Sequence, residues 1–170
     1  MKTHNFSAGP CILPDKVFKK SAEAIINFSN SLSLIEISYR SQPFVNVMDN
    51  TIKLVKELLN VPDNYSILFL QGGASLQFLM VPYNLMKKSG KAAYLNTGTW
   101  SNKAIIEAKR FGDVVITGDS SDLNYSYIPK NYNIPNNIDY FHCTSNNTIF
   151  GTQIKEFPQK NGLMVCDMSS

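Results

Sequence analysis

Gly72-Gly73-Ala74-Ser75 lies between the apolar run Tyr65–Leu70 and a stretch of helical spacing. Adjacent glycines open backbone conformations closed to other residues and let a ligand approach the main chain. A helix beginning near Ala74 or Ser75 aims its free N–H groups and the positive end of its dipole at that turn. An anion suits such a place, phosphate above all, and the Ser75 hydroxyl adds a further donor. A helix cap with no ligand uses the same residues, so the turn has to be weighed with its company.

That company is chemically specific. Trp100, the only tryptophan, sits in the turn Asn96-Thr97-Gly98-Thr99-Trp100, where an indole is able to stack on a flat aromatic ligand or to plug the core. Asp167 ends an apolar strand, a costly position for a carboxylate without a cationic partner. No lysine or arginine lies near it in sequence, and a protonated ring nitrogen on a ligand would serve. Thr148, in Asn146-Asn147-Thr148, offers a hydroxyl to a ring oxygen or to its own loop. Phosphate, flat ring, cationic ring nitrogen and phenolic oxygen together describe pyridoxal 5′-phosphate. An aspartate at the pyridinium nitrogen is the protein's expected contribution to its electron-sink chemistry.

The elements that must position these groups are legible as periodicities. Pro14 suits a first helical turn, with Val17, Phe18, Ala22, Ile25 and Phe28 at helical spacing behind it. A second helix is predicted over residues 44–59, with Val45, Met48, Ile52, Val55 and Leu59 on one face. Strands are predicted at 65–70, 92–95, 114–117, 140–143 and 163–166. Helices are predicted from Ser75, with Pro82 kinking or ending it early, and over 101–111. Residues 32–38 read as irregular to extended, and 119–137, rich in Asn and Ser, as surface loop. Alternating strands and helices predict an α/β fold with a mainly parallel sheet. Ligands bind at the carboxyl ends of such strands, where Gly72–Ser75, Thr97–Trp100, Thr144–Thr148 and Asp167 all fall.

Composition narrows the class. The 170 residues are 44% hydrophobic and 17% charged, which describes one globular core rather than a disordered chain. A net charge of +3 without a basic, aromatic-interleaved block gives no sign of nucleic acid. No apolar run reaches membrane-spanning length, and no signal-peptide core follows Met1. Three scattered cysteines (Cys11, Cys143, Cys166) form neither a disulfide framework nor a metal knuckle, so a reducing, cytoplasmic setting is expected. Cys143 and Cys166 read as small buried side chains. No metal site is expected.

Six ordered segments carry a resemblance: Asn5-Phe6-Ser7-Ala8-Gly9-Pro10, Leu13-Pro14, Glu36-Ile37-Ser38-Tyr39-Arg40-Ser41, Gln71-Gly72-Gly73-Ala74-Ser75-Leu76-Gln77-Phe78, Thr97-Gly98-Thr99-Trp100 and Asn146-Asn147-Thr148-Ile149-Phe150-Gly151. Together they resemble the phosphoserine aminotransferase family, from Asn5 to the end of the chain. The resemblance implies a three-layer αβα, fold-type I large domain, truncated here, with residues 1–15 as an arm and 16–170 as the amino-terminal part of that domain. It implies a homodimer and amino transfer between L-glutamate and 3-phosphohydroxypyruvate, giving O-phospho-L-serine and 2-oxoglutarate, with a role in pyridoxine synthesis in many bacteria. Ala74 and Ser75 would bind the cofactor phosphate, Trp100 would stack on the ring, Thr148 would contact its oxygen side and Asp167 its nitrogen. Arg40 would hold a substrate carboxylate, a task its planar fork suits.

The chain departs from the family pattern in three places. Tyr39 stands where the motif usually has histidine, which removes a positive charge available near neutral pH. Asn146-Asn147 replaces the Asn-Glu often found before the threonine. The family's Gln-Lys pair, whose lysine forms the Schiff base, is expected beyond Ser170. Lys155 and Lys160 precede the aspartate strand and do not correspond to it, so no catalytic residue is expected within residues 1–170. Two other readings stay open: a non-catalytic module that keeps the phosphate and ring contacts or an inert fragment, and a nucleotide-binding α/β domain. The second lacks both the Gly-x-Gly-x-x-Gly spacing and a P-loop lysine.

Overall fold

The computed structural model describes residues 3–158 and 162–170, and the chain divides into two compact units, residues 1–69 and 70–170. In the first unit, residues 3–14 carry no regular element. Helix α1 (Asp15–Ile26) starts immediately after Pro14, with Asp15 complementing the dipole in its first turn. A tight turn follows, in which the Phe28 N–H donates to the Leu32 carbonyl at 2.7 Å. Helix α2 (Gln42–Leu58) begins with a proline in its first turn. Both helices carry most of the predicted apolar positions but end earlier than expected: Phe28 lies in the turn after α1, and Leu59 is the residue just past α2.

The run Tyr65–Leu70 corrects the sequence reading: it forms no strand among the described residues. Tyr65, Leu68, Phe69 and Leu70 are each more than half exposed. An apolar, β-prone sequence becomes a strand only when a neighbour completes its ladder, and no described strand pairs with this run.

The second unit is a four-stranded sheet with helices on one face. Strands β1 (Lys91–Asn96), β2 (Asp113–Asp119), β3 (Tyr140–Thr144) and β6 (Met164–Asp167) lie in the order β2-β1-β3-β6, all parallel. A separate antiparallel pair, β4 (Asn146–Asn147) and β5 (Thr152–Gln153), forms the turn after β3. The central strands β1 and β3 are buried almost end to end, as expected of apolar runs covered on both faces. Alternation sorts their side chains. Ala92, Tyr94 and Tyr140 pack under α3 (Gly73–Leu85) and α4 (Thr99–Ala108) with Phe78, Ala104, Ile105 and Ala108. Ala93, Leu95, Phe141 and Cys143 face the other way, against Ile128, Tyr132, Ile134 and Ile154. The segment 119–137 is therefore more than surface loop. Apart from a short 3₁₀ turn it has no regular element after β2 ends, yet its apolar residues wall the second face of the sheet.

Two features of α3 differ from expectation. It begins two residues before Ser75, and it runs through Pro82 to Leu85. Pro82 is fully buried, and its carbonyl still accepts the Met86 N–H at 3.0 Å, so the helix closes normally beyond it. The direction of α3 follows from its far end. Tyr83 meets Phe111 edge-on at 6.1 Å between ring centroids, just past the end of α4 and before β2 begins. Met86 crowds Gly112, where a Cβ would lie 2.6 Å from its sulfur. Helices α3 and α4 thus end together at the amino ends of the strands. Both begin at the carboxyl rim, where Asn96, Asp119, Thr144 and Asp167 lie. No helix among the described residues is long and apolar enough to cross a membrane.

Candidate functional site

At the rim, the start of α3 is built to be open. Gly72 has φ +92°, and a Cβ there would lie 2.3 Å from Leu76, so the position accepts only glycine. Gly73 has φ +58°, and the space where its Cβ would stand is empty. No side chain caps this end of the helix. The first-turn N–H groups of Ala74 and Ser75 lack intrahelical partners by geometry and face that space. Ser75 is exposed, while Ala74 packs on the core that also supports Trp100.

The loop after β1 is held far more tightly. Ser101, fully buried, accepts the N–H groups of Thr97 and Gly98, each at 2.9 Å. Its own proton reaches the Asn96 Oδ1 at 3.1 Å or the Gly98 carbonyl at 2.9 Å. Asn96 in turn donates to Asp119 at 3.0 Å. Burial works to raise the Asp119 pKa, but the hydrogen bonds from Asn96 and Ser121 prevail and hold it below the ordinary carboxylate value. A Cβ on Gly98 would lie 2.4 Å from the Asn147 Oδ1, so the β1 and β3 loops interlock there. The sequence gives little sign of Ser101 or Asn96. Serine early in a helix after a glycine turn is the one clue, and it reads equally well as an ordinary cap.

Trp100, in the first turn of α4, is half-buried. Its indole Nε1–H donates to the Thr148 hydroxyl at 3.2 Å, across 48 residues of sequence. The Lys103 ammonium lies over the indole, 4.8 Å from a ring centroid. Asp167 stands directly beside Thr144 in the β3–β6 ladder, and its carbonyl accepts the Ser145 N–H at 2.9 Å. Its carboxylate accepts the Ser169 N–H at 3.1 Å and the Ser169 hydroxyl. No lysine or arginine pairs with it among the described residues. Three buried polar atoms at this rim, the Thr97 and Thr144 hydroxyls and the Asn147 Oδ1, have no hydrogen-bond partner. Buried polar groups are rarely left so, and a cluster of them beside an uncapped helix and an unpaired carboxylate fits an anionic, hydrogen-bonding ring ligand.

His142 sits one pleat behind Thr144, stacked on Tyr94 at 4.8 Å between centroids. Its Nδ1 has no partner. Burial pushes its pKa down to about 4, partly opposed by the Asp167 charge. Arg40 and Tyr39 belong to the first unit, where both are exposed and the guanidinium lies 4.6 Å over the tyrosine ring. Lys155 is exposed, and Lys160 lies outside the described residues. No group of three or more metal-ligating side chains occurs among the described residues. A cavity of about 1020 Å³ lies on the opposite face, lined by Tyr132, Ile134 and Ile154 among others.

The class-V aminotransferase family profile matches residues 3–170. The phosphoserine aminotransferase of Flavobacterium psychrophilum is 63% identical over the whole of this chain and 48% of its own length, and that of Bacteroides fragilis is 56% identical over the same shares. A solved phosphoserine aminotransferase from Bacillus circulans superposes with a TM-score of 0.94 at 37% identity, over 99% of this chain and 48% of that one. A pyridoxal-phosphate-bound phosphoserine aminotransferase from Trichomonas vaginalis gives 0.89 at 32% identity, over 98% and 48%. The chain therefore spans about half the length of the relatives it matches. Its α/β fold with a parallel sheet is that of these structures, and it belongs to the class-V aminotransferase family.

Proposed function

We propose that this chain is the cofactor-binding half of a phosphoserine:2-oxoglutarate aminotransferase that uses pyridoxal 5′-phosphate. The observation that carries this reading is the gathering at one sheet rim of the uncapped start of α3, the Trp100–Thr148 pair and Asp167. Family membership and phosphoserine aminotransferase relatives support the same conclusion. In this reading residues 1–15 are an arm and 16–170 the amino-terminal part of the large domain. The complete protein is a cytoplasmic homodimer, acting on L-glutamate and 3-phosphohydroxypyruvate in serine synthesis and also serving pyridoxine synthesis. The amine that exchanges with substrate lies outside residues 1–170, so this chain alone binds without turning over.

When bound, the cofactor supplies an electron sink for the pair left at the substrate α-carbon as its proton departs. The Ala74 and Ser75 N–H groups and the Ser75 hydroxyl bind phosphate at the positive end of α3. Trp100 fixes the ring plane and keeps water from that face, held in place by Thr148 and by the Ser101 network beneath its loop. The Thr148 hydroxyl, already accepting from the indole, keeps its own proton free for a ring oxygen. Asp167 holds a proton at the ring nitrogen through a charge-assisted hydrogen bond. Arg40 grips a substrate carboxylate in a bidentate pair.

The test is amino transfer by the full-length protein supplied with O-phospho-L-serine, 2-oxoglutarate and cofactor. Formation of glutamate that falls at least ~100-fold in Asp167→Ala supports the reading, since removing a preorganised electrostatic partner costs on that order. Transfer from other amino acids but not from phosphoserine would reject the substrate assignment. Unchanged turnover in Asp167→Ala would reject the site.

A further inference from the structure

Cys143 and Cys166 take no part in the rim chemistry, yet the sheet sets them side by side. They are direct register partners in the parallel β3–β6 ladder, so their side chains share one face. Neighbouring strands are about 4.8 Å apart, inside the window of roughly 4.4–6.8 Å between Cα atoms that a disulfide requires. Both sulfurs are reduced here, Cys143 fully buried and Cys166 half-buried. The second-face cluster that contains them also contains Tyr132, Ile134 and Ile154, which line the cavity of about 1020 Å³ on that face. Cys166, being half-buried, is the thiol of the pair that a small solute reaches.

The two thiols are not equivalent. Cys143 hydrogen-bonds to Cys166, which together with burial pushes the Cys143 thiol well above its ordinary value. The same contact, joined by the Ser145 N–H and hydroxyl, outweighs burial and the nearby Asp167 charge and pulls Cys166 below its ordinary value. The neutral Cys166 thiol also donates to the Asp167 carbonyl over a long 3.8 Å. An accessible, acidified thiol beside a protonated one is the arrangement of an attacking and a resolving cysteine.

We propose that Cys143 and Cys166 form a hydroperoxide-reactive dithiol that closes reversibly to a cross-strand disulfide. The Cys166 thiolate attacks one peroxide oxygen. The O–O bond breaks, leaving a sulfenic acid on Cys166 and, with hydrogen peroxide, hydroxide that takes up a proton to become water. The Cys143 sulfur then attacks the Cys166 sulfur. The S–S bond forms, the S–O bond breaks, and the departing hydroxide leaves as water with the Cys143 proton. Two thiols and one peroxide give one disulfide and two waters, the sulfurs having supplied two electrons.

The test uses the full-length protein carrying Cys11→Ser, treated with hydrogen peroxide, alkylated, digested without reductant and mapped by mass spectrometry. The expected result is a linked pair of peptides containing Cys143 and Cys166, two hydrogens lighter than their sum and separated by dithiothreitol. In a Cys143→Ser variant, Cys166 is expected to accumulate as sulfenic acid and to be captured by dimedone. In Cys166→Ser, Cys143 is expected to stay unlabelled. Absence of the linked pair while both cysteines are recovered as free thiols would overturn the proposal, as would dimedone capture at Cys143 in Cys166→Ser. The peptide map needs no substitution in either strand, so a variant that fails to fold does not decide the question.

Discussion

Lowering the pH should strike this fold first at His142. The side chain is packed against Tyr94, its Nδ1 has no partner, and burial brings its pKa down from an ordinary 6.5 to about 4. The neutral imidazole is therefore the form the folded state holds. Above pH ~6.5 both states carry it neutral and the linkage is silent. As the pH falls toward 4 the unfolded chain takes up a proton that the folded chain refuses, so stability declines across that window and levels off below it. Across the 2.5-unit gap between those two values, at about 1.4 kcal/mol per unit, the full loss is about 3 kcal/mol. At about pH 4.5 some 2.5 kcal/mol of it is already gone.

Urea unfolding of the native chain and a His142→Phe variant at about pH 7 and pH 4.5 isolates this term, because phenylalanine keeps the stack on Tyr94 and cannot titrate. The native midpoint should fall by roughly 1 M more than the variant's, given the usual urea dependence of a small domain. Carbon-13 chemical shifts of the imidazole should locate its titration near 4. Equal pH dependence in both proteins, or a titration at 6 or above, would refute the reasoning.

Three substitutions probe the loops that hold the rim. Gly98→Ala drives a Cβ to 2.4 Å from the Asn147 Oδ1, and its unfolding free energy should fall by more than ~2 kcal/mol, as for other overpacked sites. Ser101→Ala strands the Thr97 and Gly98 N–H groups, and a loss of about 2–3 kcal/mol is expected in the same measurement. Thr148→Val removes the acceptor of the Trp100 indole at an exposed position. Stability should change by less than ~1 kcal/mol while the tryptophan emission maximum moves, so an unmoved spectrum would count against the 3.2 Å contact.

Much of this architecture is readable from the chain alone, for identifiable reasons. Helices α1 and α2 announce themselves by 3.6-residue spacing, and the buried strands β1 and β3 by apolar runs bounded by polar turns. Parallel strands alternating with helices then dictate where the ligand-facing loops gather. Asp167 stands out as a carboxylate ending an apolar strand, whereas Trp100 reads also as a core plug and Thr148 as a loop hydrogen bond until the ordered motifs are taken together. Tyr65–Leu70 misleads because strand propensity is local while the ladder that realises it is not. Pro82 misleads because a buried helix tolerates the missing hydrogen bond when packing holds both sides of it. The pairing of Ser101 with Asn96, the stacking of His142 on Tyr94 and the contact between Cys143 and Cys166 each depend on strand register or loop closure. Composition and periodicity do not encode either.

The sharpest test of the central claim, that the rim holds pyridoxal 5′-phosphate by its phosphate and its ring together, is a fluorescence titration of the 170-residue chain, in which Trp100 is the only tryptophan. Pyridoxal 5′-phosphate should quench the emission saturably, whereas pyridoxal, which lacks the phosphate, should leave it largely unchanged over the same concentrations. Equal quenching by both compounds, or none by either, would contradict the account.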